Sequence, residues 1–204
     1  MNLPRYKQDK NAFVTALFDW LEQRGRTRYD QAVTQLGHAL QTANLAVSEN
    51  ARKHQITAAL LHDIGHLIIN EPNTKENCLQ FNANHEITGS NWLIQQFGVA
   101  VSEPVRLHVK ARRWLFTNDA SYRENLSLAS KRDLQLQGGK LTPEASKAFE
   151  QERYFKQAIC LRLWDDRAKV AGKIVPGLET YREILINSLV VRPLNSLVAL
   201  QVSR

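Results

Sequence analysis

Ala58-Ala59-Leu60-Leu61-His62-Asp63-Ile64-Gly65-His66 sets three ionisable side chains inside a run of small and aliphatic residues. The apolar flanks predict a buried helix from about Lys53 to Ile69, with Glu71-Pro72-Asn73 as its stop. On a helix His62 and His66, four residues apart, point into one space, and Asp63 lies about 100° round, within reach of a neighbouring ion. Polar groups placed in such surroundings are costly unless something pairs with them, and a metal ion suits two imidazoles and a carboxylate at once. Gly65 removes a side chain where another helix or a ligand must come close.

A His-Asp doublet occurs often by chance, so the remaining histidines decide its weight. The chain has six: His38, His54, His62, His66, His85 and His108. His38, His85 and His108 each fall on or at the edge of a segment with helical periodicity. One such histidine reads as a satisfied core residue, whereas the set, in a core of this size, points to metal. His54, between Lys53 and Gln55, reads as surface.

At 204 residues, 43% hydrophobic and 23% charged, the chain is expected to form one domain, with its core at about 11–189 and an apolar tail from about 190 to 204. No apolar run is long enough to span a membrane and Met1 to Lys10 lacks a signal-peptide core, so the expected location is cytoplasmic. Cys78 and Cys160 form no CxxC pair and read as reduced thiols without assigned chemistry. The net charge of +7 fits a dispersed basic surface or a small-anion pocket. Nucleic acid is not an expected partner, because there is no zinc-finger spacing, aromatic-basic platform or long Lys/Arg block.

A first helix, about Asn11 to Arg24, carries Phe13, Val14, Leu17, Phe18 and Leu21 at helical spacing and stops at Gly25. A second is expected from Arg28 to Gln41 and beyond, with His38 beside an Ala32, Leu36, Leu40, Ala43 stripe. Tyr29, Asp30 and Gln31 then either line the mouth of a pocket or cap the helix start. Asn84 to Phe97 forms another, and Ser102-Glu103-Pro104 opens one bearing His108, Arg112, Arg113 and Trp114. His108 and Arg112, four apart, would set a metal ligand and a fixed cation on one face, as an anion bound directly to metal requires. From Asn118 to Leu141 the pattern is irregular and reads as a lid, an anion-binding turn at Gln137-Gly138-Gly139, or a plain surface connection. Thr142-Pro143-Glu144 restarts a helix, Ala158 to Arg167 is strongly apolar with Arg162 and Asp165 sharing a face, and Leu178 to about Leu189 closes the pattern. Period-two alternation is missing, so the expected fold is all-α.

The ordered set His38, His62-Asp63, His85, His108, Asp165 resembles the ligand order of HD domains with a two-metal centre. A narrower resemblance runs through Gln35-Leu36-x-His38-Ala39-Leu40-Gln41, the His62-Asp63-x-Gly65-His66 stretch, Ala120-Ser121-Tyr122 with Asn125-Leu126-Ser127 and Ala129-Ser130, Gln137-Gly138-Gly139, and Arg162-x-Trp164-Asp165. Together these are similar to the HD-domain mixed-valent di-iron oxygenases that cleave carbon-phosphorus bonds in organophosphonates, over about Tyr29 to Leu189. The resemblance implies that His38, His62, Asp63 and Asp165 hold one iron of an Fe(II)/Fe(III) pair. Asp63 would bridge to the second, also held by His85 and His108. It further implies that His66, Arg112, Ser130 and Arg162 grip the phosphonate of a 1-hydroxyalkylphosphonate, which dioxygen converts to a carboxylic acid and inorganic phosphate. The four electrons come from the substrate, and a phosphonate hydroxylase is the implied supplier of that substrate.

Two departures bear on specificity. Position 112 is an arginine where a lysine can stand in the family. Near the pocket mouth some relatives place a tyrosine three residues before a glutamate that holds a substrate ammonium. Here that glutamate position is Gln31, with Tyr29 only two residues before it. A neutral amide does not pair with an amine cation as a carboxylate does. The expected substrate is therefore hydroxymethylphosphonate, giving formate, with 2-amino-1-hydroxyethylphosphonate, giving glycine, as the next choice. The competing reading is an HD phosphohydrolase acting on a nucleotide or phosphate ester, working without dioxygen.

Overall fold

The structure is a computed structural model that describes residues 2–29, 33–69 and 84–190. Helix α1 (Lys10–Arg24) starts where Asp9 accepts from Ala12 N–H at 2.9 Å and ends where Gly25 N–H donates to Leu21 O. Its buried face is Phe13, Val14, Leu17, Phe18, Trp20 and Leu21, one residue more than its apolar spacing predicts. Helix α2 (Gln35–Ser48) begins seven residues later than the apolar stripe suggests. Arg28 and Thr34 instead form an isolated antiparallel bridge, Tyr29 N–H donates to Val33 O at 2.8 Å, and the Thr34 hydroxyl caps the helix at Gly37 N–H. Asp30 and Gln31 lie outside the described residues, as do Cys78 and the tail from 191 to 204.

The expected central helix is two helices, α3 (Lys53–Leu61) and α4 (Ile64–Ile69), broken at His62-Asp63. Beyond the break His66 N–H reaches back only three residues, to Asp63 O at 3.0 Å. Gly65 explains why α4 takes this course. It lies so close to α5 (His85–Phe97) that a Cβ there would fall 1.9 Å from His85 O, and Gly89 of α5 faces it with equally little bulk.

Gly98, at φ +73°, turns the chain from α5 into α6 (Val99–Asn118), a 20-residue helix that packs against α3 and α5. Pro104 sits inside α6 rather than at its start, where it forgoes one backbone hydrogen bond but is itself buried. The stretch expected to be irregular is helical: α7 (Ala120–Asn125), capped by Asp119, and α8 (Leu128–Leu136), ending in the Gln137-Gly138-Gly139 turn. Thr142 caps α9 (Pro143–Glu150) as the sequence predicts. Helix α10 (Phe155–Arg167) crosses α2, α3 and α6, and a 3-10 turn (Leu178–Tyr181) leads into α11 (Arg182–Ile186), which packs on α1 and α3.

Among the described residues there is no strand, and the fold is all-α. The main apolar core lies among α1, α3, α5, α10 and α11, and a smaller one joins Leu107, Ala111, Phe149 and Ala158. Between them α2, α3, α6 and α10 bury a polar layer instead of an apolar one: His38, His62, His108, Arg112, Arg162 and Asp165. No helix among the described residues is long and apolar enough to cross a membrane. His54 is half-buried rather than at the surface, and burial lowers its pKa.

Candidate metal centre and phosphonate pocket

His38 of α2 and His62 at the α3–α4 break turn their Nε2 atoms toward each other at 3.2 Å. Asp165 of α10 joins them, Oδ1 lying 3.2 Å from His38 Nε2 and Oδ2 3.9 Å from His62 Nε2. A second pair, His85 of α5 and His108 of α6, also faces Nε2 to Nε2 at 3.2 Å. Asp63 lies between the two pairs. Its Oδ2 is 3.5 Å from His38 and 3.3 Å from His62, while its Oδ1 is 3.5 Å from His85 and 3.9 Å from both His66 and His108. Among the described residues, side-chain donor atoms within 4.8 Å of one another form two groups, His38/His62/Asp165 and Asp63/His66/His85.

The backbone sets which nitrogen of each ring points inward. His38 Nδ1–H donates to Ala168 O at 2.9 Å, His62 Nδ1–H to Ala59 O at 2.9 Å and His108 Nδ1–H to Val105 O at 2.6 Å. A carbonyl only accepts, so these Nδ1 atoms carry the hydrogens, and each ring, once its Nε2 is deprotonated, presents that lone pair to the centre. Asp165 Oδ1 is buried without a hydrogen bond. With Nε2 deprotonated, lone pairs at 3.2 Å beside carboxylate oxygens would repel, and a divalent cation between them would satisfy all of them. The donor set fits such an ion: imidazole nitrogen and carboxylate oxygen suit borderline first-row metals, iron and manganese included.

The carboxylates favour positive charge at this centre, whether a proton on His62 or a metal ion that displaces it. Burial works to lower the His62 pKa, but Asp63 and then Asp165 outweigh it and hold the ring at about 9. Burial pushes His108 down to about 4. Burial opposes ionisation of Asp63, yet His62, His66 and His85 around it keep its carboxyl well below the usual range.

Across the helix break His66 and His62 both face Asp63, His62 at Oδ2 and His66 at Oδ1. The His66 ring stacks on His85 with centroids 3.9 Å apart. Tyr29 does reach the centre, stacking on His38 at 3.9 Å, and Lys169 Nζ sits 5.5 Å from the Tyr29 ring centroid. Burial, then the negative charges of Asp165 and Asp63, raise the Tyr29 hydroxyl well above its ordinary pKa. Arg162 is 4% exposed and pairs with Asp165 through Nη1 at 2.7 Å, while Nε donates to Asp166 Oδ2 at 2.9 Å and Nη2 pairs with Asp166 Oδ1. Tyr122 OH donates to the same Asp166 Oδ2 at 2.5 Å. Arg112, 5% exposed, donates through Nη1 to Gln137 Oε1 at 3.0 Å and through Nη2 to Ser130 O at 2.8 Å, leaving Nε buried without a partner. Ser130 thus meets Arg112 with its carbonyl.

No protein-family model matches the chain. Over 168 residues it is 46% identical to a hydroxymethylphosphonate dioxygenase of Gimesia maris, covering 82% of this chain and 84% of that protein. Over 170 residues it is 34% identical to the [1-hydroxy-2-(trimethylamino)ethyl]phosphonate dioxygenase (glycine-betaine-forming) of Leisingera caerulea, covering 80% and 82%. An uncharacterised protein of Acanthamoeba polyphaga mimivirus is 35% identical over 179 residues, 86% and 81% of the two chains. The chain belongs to the HD-domain oxygenases that cleave carbon-phosphorus bonds of hydroxyalkylphosphonates.

In this HD-domain phosphonate oxygenase three residues around the centre carry contacts to which the sequence alone gives no role, Tyr122, Asp166 and Lys169, and Gln137, read only as part of a turn, meets Arg112. Lys169 Nζ lies 3.7 Å from Asp165 Oδ1 and 3.6 Å from Asp166 Oδ1. The spacing of Arg162 and Asp166, four apart on one helix, was the available signal for Asp166. Gln137 and Tyr122 meet their partners only through tertiary packing.

Proposed function

We propose that this chain uses dioxygen to cleave the carbon-phosphorus bond of hydroxymethylphosphonate, giving formate and inorganic phosphate. 2-Amino-1-hydroxyethylphosphonate, giving glycine, is the next choice. The observation that carries the reading is Asp63, whose two carboxylate oxygens face two separate histidine groups, in a chain 46% identical to a hydroxymethylphosphonate dioxygenase. His38, His62, Asp63 and Asp165 would hold one iron, and Asp63, His85 and His108 the other, as a mixed-valent pair. When bound, that pair supplies redox chemistry with dioxygen and a Lewis-acidic seat for the substrate's hydroxyl and phosphonate oxygens.

The protein's part is to fix the dianion and keep water out. Arg112 and Arg162 are buried cations on facing helices α6 and α10, and His66 lies beside Asp63. A phosphonate taken out of water needs such charge-assisted hydrogen bonds, each worth roughly 1.5 to 3 kcal/mol. Tyr29, packed against His38, shields that side of the centre from bulk water. Ser130 would add its hydroxyl to the grip, and Gln31 gives the sequence a neutral amide where the family resemblance allows a glutamate. The C1 hydroxyl must already be present on the substrate, so a hydroxylase acting on the parent phosphonate is the partner reaction we assign.

The test is release of phosphate and formate from hydroxymethylphosphonate by iron-loaded protein, with and without dioxygen. Oxygen-dependent, equimolar release is expected. Phosphate release from esters that persists without oxygen would mean the hydrolase reading instead, and a strong preference for the amino substrate would overturn the choice of hydroxymethylphosphonate.

A further inference from the structure

We infer that the Gln137-Gly138-Gly139 turn is a clasp for arginines, and that Gln137 is a positioning residue which fixes Arg112 for the phosphonate dianion. This rests on the reading of Arg112 as a phosphonate contact. The turn's paired glycines invite the idea of an anion nest, but its polarity is the reverse. Gly138 O and Gly139 O accept from Arg113, at 2.9 Å from Nη2 and 3.0 Å from Nε. Gln137 Oε1 accepts from Arg112. The glycines adopt φ +98° and +60°, and a Cβ on Gly138 would lie 3.0 Å from Arg113 Cζ, so the turn is shaped around a guanidinium.

The two arginines are adjacent on α6 and therefore diverge. Arg113 anchors the turn at the rim, where α8 ends with Gly139 N–H donating to Leu134 O. Arg112 is drawn into the protein. Gln137 and Ser130, seven residues and about two helical turns apart, hold one terminal nitrogen each. The buried Nε is left as a donor without a protein partner. A long, rotatable cation thereby loses its freedom before substrate arrives, which lowers the cost of binding. The amide is the suitable acceptor, since it fixes the guanidinium without neutralising it.

The experiment is anaerobic calorimetry of hydroxymethylphosphonate binding to the iron-loaded protein, for wild type, Q137A, Q137E, R112A and R112A/Q137A. Q137A is expected to weaken binding about tenfold in the wild-type background and less than about twofold beside R112A, because the glutamine acts through the arginine. Q137E is nearly isosteric and keeps the acceptor, which guards against misfolding. It should weaken binding more than Q137A does, since its charge offsets Arg112 and repels the dianion. Equal losses from Q137A in both backgrounds, or Q137E binding like wild type, would overturn the clasp. If wild type binds but releases no phosphate with oxygen, the oxygenase reading fails and the clasp is still judged by these affinities. If wild type does not bind, both fall.

Discussion

Asp63 faces both histidine groups, with His62 Nε2 3.3 Å from one oxygen and His85 Nε2 3.5 Å from the other. Replacing it should therefore empty both positions together. Asp63→Ala is expected to abolish activity and to lower bound metal at both positions in elemental analysis, whereas His66→Ala should keep most of the metal and raise KM. Asp166 makes a different prediction. It is a buried partner of Arg162 and the acceptor for Tyr122. Asp166→Ala leaves that arginine with only part of its counter-charge, so unfolding free energy by denaturant titration should drop by about 3 kcal/mol.

Where the helices pass one another, Gly65 leaves no room for a methyl group, since its Cβ would fall 1.9 Å from His85 O. Gly65→Ala must push α4 off α5 and carry His85 with it. An expected cost of about 3 kcal/mol in denaturant unfolding should be accompanied by loss of metal. Most elements were legible in the sequence because apolar spacing, the Thr142 cap and the stops at Gly25 and Gly98 mark their ends. The six residues expected to hold metal, His38, His62, Asp63, His85, His108 and Asp165, do come together. Several features were not legible. The α3–α4 break falls at His62-Asp63 with helix-like apolar sequence on both sides, and the packing of Gly65 against α5 explains it. The late start of α2 depends on the bridge between Arg28 and Thr34, which periodicity does not register. The helices α7 and α8 lack a clear apolar stripe and are held by contacts such as Tyr122 to Asp166.

Across the whole molecule, the end of α2 is tied to α10 by Glu49, which accepts from Trp164 Nε1 at 2.8 Å and from Arg167 Nη2 at 2.5 Å. Those two bonds, Trp164 first, hold the Glu49 carboxyl below its ordinary value of 4.5. A carboxyl lowered by folding stabilises the native state fully above its unfolded pKa and ceases to as pH falls through the folded one. Glu49→Gln should therefore melt lower than wild type at pH 7, and the gap should narrow below about pH 4.5, as followed by thermal unfolding across pH. Chelation should lower the melting temperature of the metal-loaded protein at every pH where the ligands are bound, since metal held only by the folded chain adds to its stability.

The polar layer among α2, α3, α6 and α10 has a consequence for how such a chain is engineered or evolves. Buried ion pairs and facing lone pairs are a poor way to fill a core, and apolar side chains of similar volume often stabilise a protein more. A library of this chain screened for heat resistance in metal-free medium should accumulate leucine and methionine at the histidine positions. The hardiest survivors would be those that had given up turnover.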